Sequence, residues 1–136
     1  MDFGLIQTIY DTYKDLLFGD TIPDSGLVRF VECDMEGVMG YSQYIGEPDC
    51  YSELAVTDAY ELSILQISSI VVHEMIHIWQ TYHVSDERYR ICSNEIAHDR
   101  VFTSKMMAIN AILEREGCGF LIDVTMNDTL TKKENK

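Results

Sequence analysis

The sequence predicts an α+β domain: an N-terminal helix, a small three-stranded and mostly antiparallel sheet, then two helices able to hold a metal between them. Three observations predict it. Apolar residues recur at helical spacing over residues 3–18. Between residues 27 and 56, three short β-branched and aromatic runs are separated by glycine and proline. From residue 57 to about 113 the helical period returns, in two stretches.

The first helix places Ile6, Ile9, Tyr10, Tyr13, Leu16 and Leu17 on one face and should stop near Phe18, with Gly19 just past its end. Pro23-Asp24-Ser25-Gly26 is a turn cluster. Strands are expected at Leu27–Val31, Val38–Ile45 and Tyr51–Val56, the last two divided by Gly46-Glu47-Pro48-Asp49. Thr57 or Asp58 can cap the second helix, with Glu61 completing a capping box after Asp58, and that helix should run to about Tyr82. The polar stretch Val84 to Arg90 turns the chain. A third helix should begin between Ser93 and His98, bury Val101, Phe102, Met106, Ile109 and Leu113, and end at Gly117. Phe120 to Val124 is expected to be extended and packed, and residues 129–136 to form a frayed tail.

At 136 residues the chain can bury a working core without staples. No apolar run reaches the ~18 residues that span a bilayer. Met-Asp-Phe-Gly-Leu-Ile lacks a basic region ahead of an apolar core, so no secretory signal is read and a soluble, cytoplasmic protein is expected. Cys33, Cys50, Cys92 and Cys118 include no Cys-x-x-Cys pair, which argues against a zinc ribbon or redox motif and for reduced, mostly buried thiols. Net charge is −13, and residues 1–61 carry 13 acids against Lys14 and Arg29, a net −11. Such a surface repels a duplex, so direct DNA binding is not expected.

The second helix carries His73-Glu74-Met75-Ile76-His77, the His-Glu-x-x-His signature of zinc peptidases. Histidines four apart project from one helical face and can share a tetrahedral metal. Glu74 can reach the metal's open position without ligating, as a general base must. A catalytic zinc needs a third protein ligand. His83 has the metzincin spacing, but that pattern requires glycine at position 80, where Gln80 stands. Asn94-Glu95-Ile96-Ala97-His98-Asp99 fits the Asn-Glu-x-x-x-Asp pattern of thermolysin-like enzymes, with a short interval from His77. On a helix, Glu95 and His98 would share a face, and spacing alone does not choose between them.

His98-Asp99-Arg100-Val101-Phe102 continuing to Ile109-Asn110 resembles the His-x-x-x-Phe…Ile-Asn segment after the active-site helix of SprT-like (Spartan-type) zinc metalloproteases. His73–His77 is similar to that family's active-site helix, Leu17–Ile22 to its helix-one ending, and Gly40 stands where its second strand carries glycine. The likeness covers residues 3 to about 113, with the motifs in the family's order. It implies a zincin-like protease domain over residues 1–128, zinc held by His73, His77 and His98, and Glu74 as catalytic acid/base. The interval between His77 and His98 is longer than in the better-known members, and their zinc ribbon and basic DNA-binding region have no counterpart here. The expected partner is a protein or peptide substrate, read mainly through its backbone along the third strand. Tyr82, His83, Tyr89 and Arg90 lie where a group assisting the reaction is expected, and Trp79 is read as core packing. Two rival functions are a non-catalytic zinc-stabilised binding module and an acidic interaction protein that imitates nucleic acid.

Overall fold

The computed structural model describes residues 2–84, 86–91, 97–124 and 131–132. Helix α1 (Phe3–Tyr13) starts at Asp2, whose carboxylate accepts from the Leu5 N–H at 3.0 Å. It widens into a π-helical turn over Lys14–Phe18 and stops at Gly19, φ 56°, a conformation that glycine adopts without steric cost. Of the face the spacing predicted, Ile6, Ile9, Tyr10 and Leu17 are buried, Tyr13 is half-buried and Leu16 is exposed, while Phe18 is buried in addition.

Strands β1 (Val28–Cys33), β2 (Gly40–Glu47) and β3 (Cys50–Thr57) form a sheet of order β1-β3-β2. β2 pairs antiparallel with β3, but β1 pairs parallel with it, Val28 opposite Ser52. The sheet is therefore mixed rather than mostly antiparallel. The link from Asp34 to Met39 carries the chain past the end of β3's lane, and β3 then returns between its two predecessors; the Thr57 N–H to Met39 carbonyl bond, 2.8 Å, ties the crossing. β3 consequently has no open edge, which corrects the expectation that an extended peptide could add to it. Among the described residues no strand pairs with the outer side of β2, which lines a cleft together with α2.

Helix α2 (Ile64–Trp79) is capped by Ser63, not Thr57 or Asp58. The Ser63 hydroxyl accepts from the Gln66 N–H at 3.1 Å, and the Gln66 side chain accepts from the Ser63 N–H at 2.8 Å. Thr57 is instead the last residue of β3, and Tyr60–Glu61 form a short strand β4. Helix α2 ends in a second π-helical turn, Gln80–Val84. Helix α3 (Arg100–Arg115) is capped by Asp99, whose carboxylate accepts from the Phe102 N–H at 3.1 Å, and His98 stands in the turn before it; Ala97 is helical, and the rest of the expected start, from Ser93, lies mostly outside the described residues. At its far end Gly117 takes φ 65°, and the Cys118 and Gly117 N–H groups bond the carbonyls of Leu113 and Glu114. Thr131–Lys132, expected in a frayed tail, pair as β5 with β4; residues 133–136 lie outside the described ones.

Val28, Leu54 and Val56 face the helices, where Ile6, Tyr10, Ile70, Val71, Met75, Ile76, Phe102, Ile109 and Leu113 complete the core. On the opposite face Glu53 joins all three strands, accepting from Arg29 Nη2 at 2.8 Å and from the Tyr41 hydroxyl at 2.8 Å. Among the described residues no helix is long and apolar enough to cross a membrane. Cys33, Cys50 and Cys118 are free thiols, of which only Cys33 is fully buried; Cys92 lies outside the described residues.

Gly40 sets how closely α2 approaches β2. A Cβ there would stand 2.7 Å from the Ala55 carbonyl oxygen and 2.8 Å from Ile70 Cγ2. Gly40→Ala is expected to cost about 1–3 kcal/mol by overpacking, whereas Gly26, with nothing within 4 Å, should accept alanine almost freely. Urea midpoints compare them; equal stability of the two variants would contradict the close contact.

Candidate metal centre

Helix α2 is apolar nearly all round, and its buried stretch from Ile70 to Ile78 carries His73 and His77 on the face turned toward α3. His98 comes to them from the segment just before α3. Its Nε2 lies 3.2 Å from His73 Nε2 and 3.1 Å from His77 Nε2. Among the described residues these three are the group placed to bind a metal, their ligand atoms all within 4.8 Å of one another. His83 is not in it: its ring stacks on Trp79, 6.1 Å between centroids. Glu95 lies outside the described residues.

The outer ring nitrogens reveal which tautomers are present. His73 Nδ1 lies 2.9 Å from the Asp123 carbonyl oxygen, which only accepts, so Nδ1 carries the proton. His77 Nδ1 lies 2.9 Å from Gln80 Oε1, and the Gln80 amide donates onward to the Ala97 carbonyl at 2.8 Å. Both histidines when neutral therefore aim a bare Nε2 lone pair at the same point. His98 Nε2 can offer at most one proton to that point, so two lone pairs face each other without one. A cation resolves the conflict. Three nitrogens at 2.0–2.1 Å from a tetrahedral zinc stand about 3.3 Å apart, close to the two separations observed, so the donor set fits zinc.

Phe102, fully buried, closes the back of the cluster, its ring 4.8–5.0 Å from each of the three imidazoles. The front opens on a cleft of about 610 Å³ lined by residues 37–44 of the β2 side, Glu74, the three histidines, Tyr89, Arg90 and Val124. Glu74 belongs to this wall but not to the cluster. Arg90 is the only basic side chain lining the cleft among the described residues; its guanidinium lies 4.8 Å over the Tyr44 ring. Of the other three side chains expected to assist, Tyr89 lines the cleft with its hydroxyl donated to Asp99 at 2.6 Å, Tyr82 packs on Tyr51, and His83 turns to Trp79. Trp79 packs against the core, as expected, and carries Lys105 Nζ 4.9 Å over its ring.

Burial dominates the electrostatics. It lowers His73 to about 4, against the Asp123 carbonyl that favours the charged ring, and lowers His77 to about 3, helped by His73 and opposed by Gln80. Both rings are thus neutral and ready to ligate at neutral pH. Burial raises Glu74 to about 8, with the Ser42 hydroxyl bond working the other way.

Sequence reading missed Gln80, Ser42 and the Asp123 carbonyl. Gln80 was legible in principle, standing three after His77 on one helical face. The other two depend on tertiary approach and left no local signal.

Compared with protein-family models and with curated proteins, the chain returned no match. Fold and cluster define a small α+β domain, with three helices and a three-stranded mixed sheet among the described residues, whose His73, His77 and His98 are close enough to bind a metal ion.

The pH dependence of the metal-free protein follows. Unfolded histidines protonate near 6.5 and the folded pair only at about 4 and 3, so the folded state binds fewer protons and stability falls as pH drops below 6.5. Glu74 acts oppositely: the folded carboxyl keeps its proton up to about 8 where the unfolded one loses it near 4.5, so its effect lowers stability as pH rises between them. In chelator-treated protein, Tm between pH 6.5 and 8 should fall more steeply for wild type than for Glu74→Gln. Parallel curves would contradict a neutral, buried Glu74.

Proposed function

We propose that this chain is a zinc-dependent metalloendopeptidase domain of the SprT-like kind, hydrolysing peptide bonds in protein substrates. The observation that carries the reading is the convergence of the three Nε2 atoms in one cleft with a carboxylate, Glu74, that is adjacent and not part of the cluster. A structural zinc is usually enclosed by four protein ligands, whereas a catalytic one keeps a position open; three histidines facing a cleft favour the second.

Bound zinc would acidify a water toward pKa ~7 and stabilise charge developing on a carbonyl oxygen. His73 and His77 hold their lone pairs inward through the Asp123 and Gln80 bonds. Glu74 starts protonated in the metal-free site and ionises at lower pH once a cation lies beside it, because a nearby positive charge favours the carboxylate. It then accepts the proton of the attacking water and returns it to the leaving amine. Phe102 excludes solvent from behind the imidazoles. An extended substrate adds to the open edge of β2, which lines the cleft, so that affinity comes from backbone hydrogen bonds more than from side chains. Arg90 stands on that wall as the cation available to a substrate carbonyl or carboxylate. The acidic first half of the chain weighs against direct DNA binding.

Purified protein is expected to hold one zinc by mass spectrometry and to degrade an unfolded protein substrate. Glu74→Gln should keep the metal and lose on the order of 10²–10⁴-fold in turnover, the usual contribution of a general base, while His98→Ala should lose stoichiometric metal. Full activity in Glu74→Gln would refute the chemistry, and full zinc in His98→Ala would refute the ligand set.

A further inference from the structure

We propose that Asn110 is a positioning residue for the metal site, acting on His73 through the backbone of residues 122–124 without touching a histidine. The proposal rests on the zinc reading above. Asn110 lies in α3, and both ends of its amide are engaged by one residue: Nδ2 donates to the Ile122 carbonyl at 2.9 Å, and Oδ1 accepts from the Ile122 N–H at 2.7 Å. This is the pairing a strand partner would supply, given instead by a side chain, since residues 118–124 belong to no sheet. Ile122 is itself buried in the core, and Ser69 Oγ donates to the Leu121 carbonyl at 3.2 Å.

The next peptide unit is the one His73 uses. Its carbonyl, from Asp123, accepts from His73 Nδ1 at 2.9 Å, and its N–H, from Val124, donates to Asp123 Oδ1 at 2.7 Å. Three successive peptide planes are thus held, Leu121–Ile122 and Ile122–Asp123 by Asn110 and Asp123–Val124 by the Asp123 side chain and His73. An acceptor on the outer nitrogen of a metal-ligating histidine fixes its tautomer and ring orientation, and its loss typically costs 10–100-fold in metal affinity. Without the Asn110 clamp the Asp123 carbonyl is free to drift, the proton of His73 can move to Nε2, and the inward lone pair is lost. His77 has its own acceptor in Gln80 and does not depend on Asn110.

The test reads the two histidines separately. Zinc affinity is measured by chelator competition for wild type, Asn110→Ala and Asn110→Asp, the last retaining an acceptor for the Ile122 N–H. Long-range ¹⁵N–¹H NMR of the imidazoles in metal-free protein reports which nitrogen carries each proton. Asn110→Ala should weaken zinc binding about 10–100-fold and abolish the slowly exchanging His73 Nδ1–H signal while leaving that of His77; Asn110→Asp should show a smaller loss of the same kind. Gln80→Leu should do the reverse, disturbing His77 and sparing His73. Affinity within twofold of wild type and an unchanged His73 signal in either folded Asn110 variant would overturn the proposal, as would equal loss of both histidine signals, which marks general loosening. If Asn110→Ala does not fold, Asn110→Asp decides. Should wild type bind no zinc, the protease reading fails while the NMR comparison still decides the role of Asn110.

Discussion

Two neutral imidazoles pointing bare lone pairs at one spot, with a third ring closing on them, is an arrangement a protein core does not keep for its own stability. His98 Nε2 stands 3.2 Å from His73 Nε2 and 3.1 Å from His77 Nε2, and the single proton it can carry does not fully satisfy both lone pairs. What holds the rings in place is outside them. The Asp123 carbonyl and the Gln80 amide each take the outer proton, Phe102 presses on all three, and burial keeps the rings uncharged. Helix α2 can carry such a load because Ile70, Val71, Val72, Met75, Ile76 and Ile78, the residues around its histidines, are buried in the core.

The rest of the fold is arranged around that helix. Gly40 lets β2 come close to α2, and the Glu74 carboxylate lies beside this strand, in the cleft wall and outside the histidine cluster. Placing β3 in the centre of the sheet leaves β2 as the strand bordering the cleft. A parallel pairing of β1 with β3 is what makes this possible; a simple meander would have put β2 inside and covered its edge. Segment 118–124 then passes behind the site, tied to α3 by Asn110 and to α2 by Ser69, and supplies the acceptor for His73. Helix, strand edge and strap each contribute one constraint.

Much of this was legible in the residues. The element order followed from periodicity and glycine punctuation, and Gly19 and Gly117 mark the helix ends expected of them. His73 and His77 followed from spacing four on a buried helix. His98 was not separable from Glu95 by spacing; its place came first from resemblance and then from geometry. The errors have physical causes. Strand order is a matter of which lane a chain returns to, and residues 34–39 carry no local mark of a crossing. Thr57 and Asp58 have good capping chemistry, yet Thr57 was needed to finish β3, and Ser63 with Gln66 makes the better box. Asn110 was visible as a residue in a motif, but its role depends on backbone groups twelve positions away.

The most direct measurement of the central claim is X-ray absorption on the zinc-loaded protein. Three nitrogen neighbours at about 2.0–2.1 Å with imidazole outer-shell scattering, and a fourth light atom completing the shell, are predicted. A sulfur neighbour at about 2.3 Å, or fewer than three imidazoles around the ion, would contradict the account.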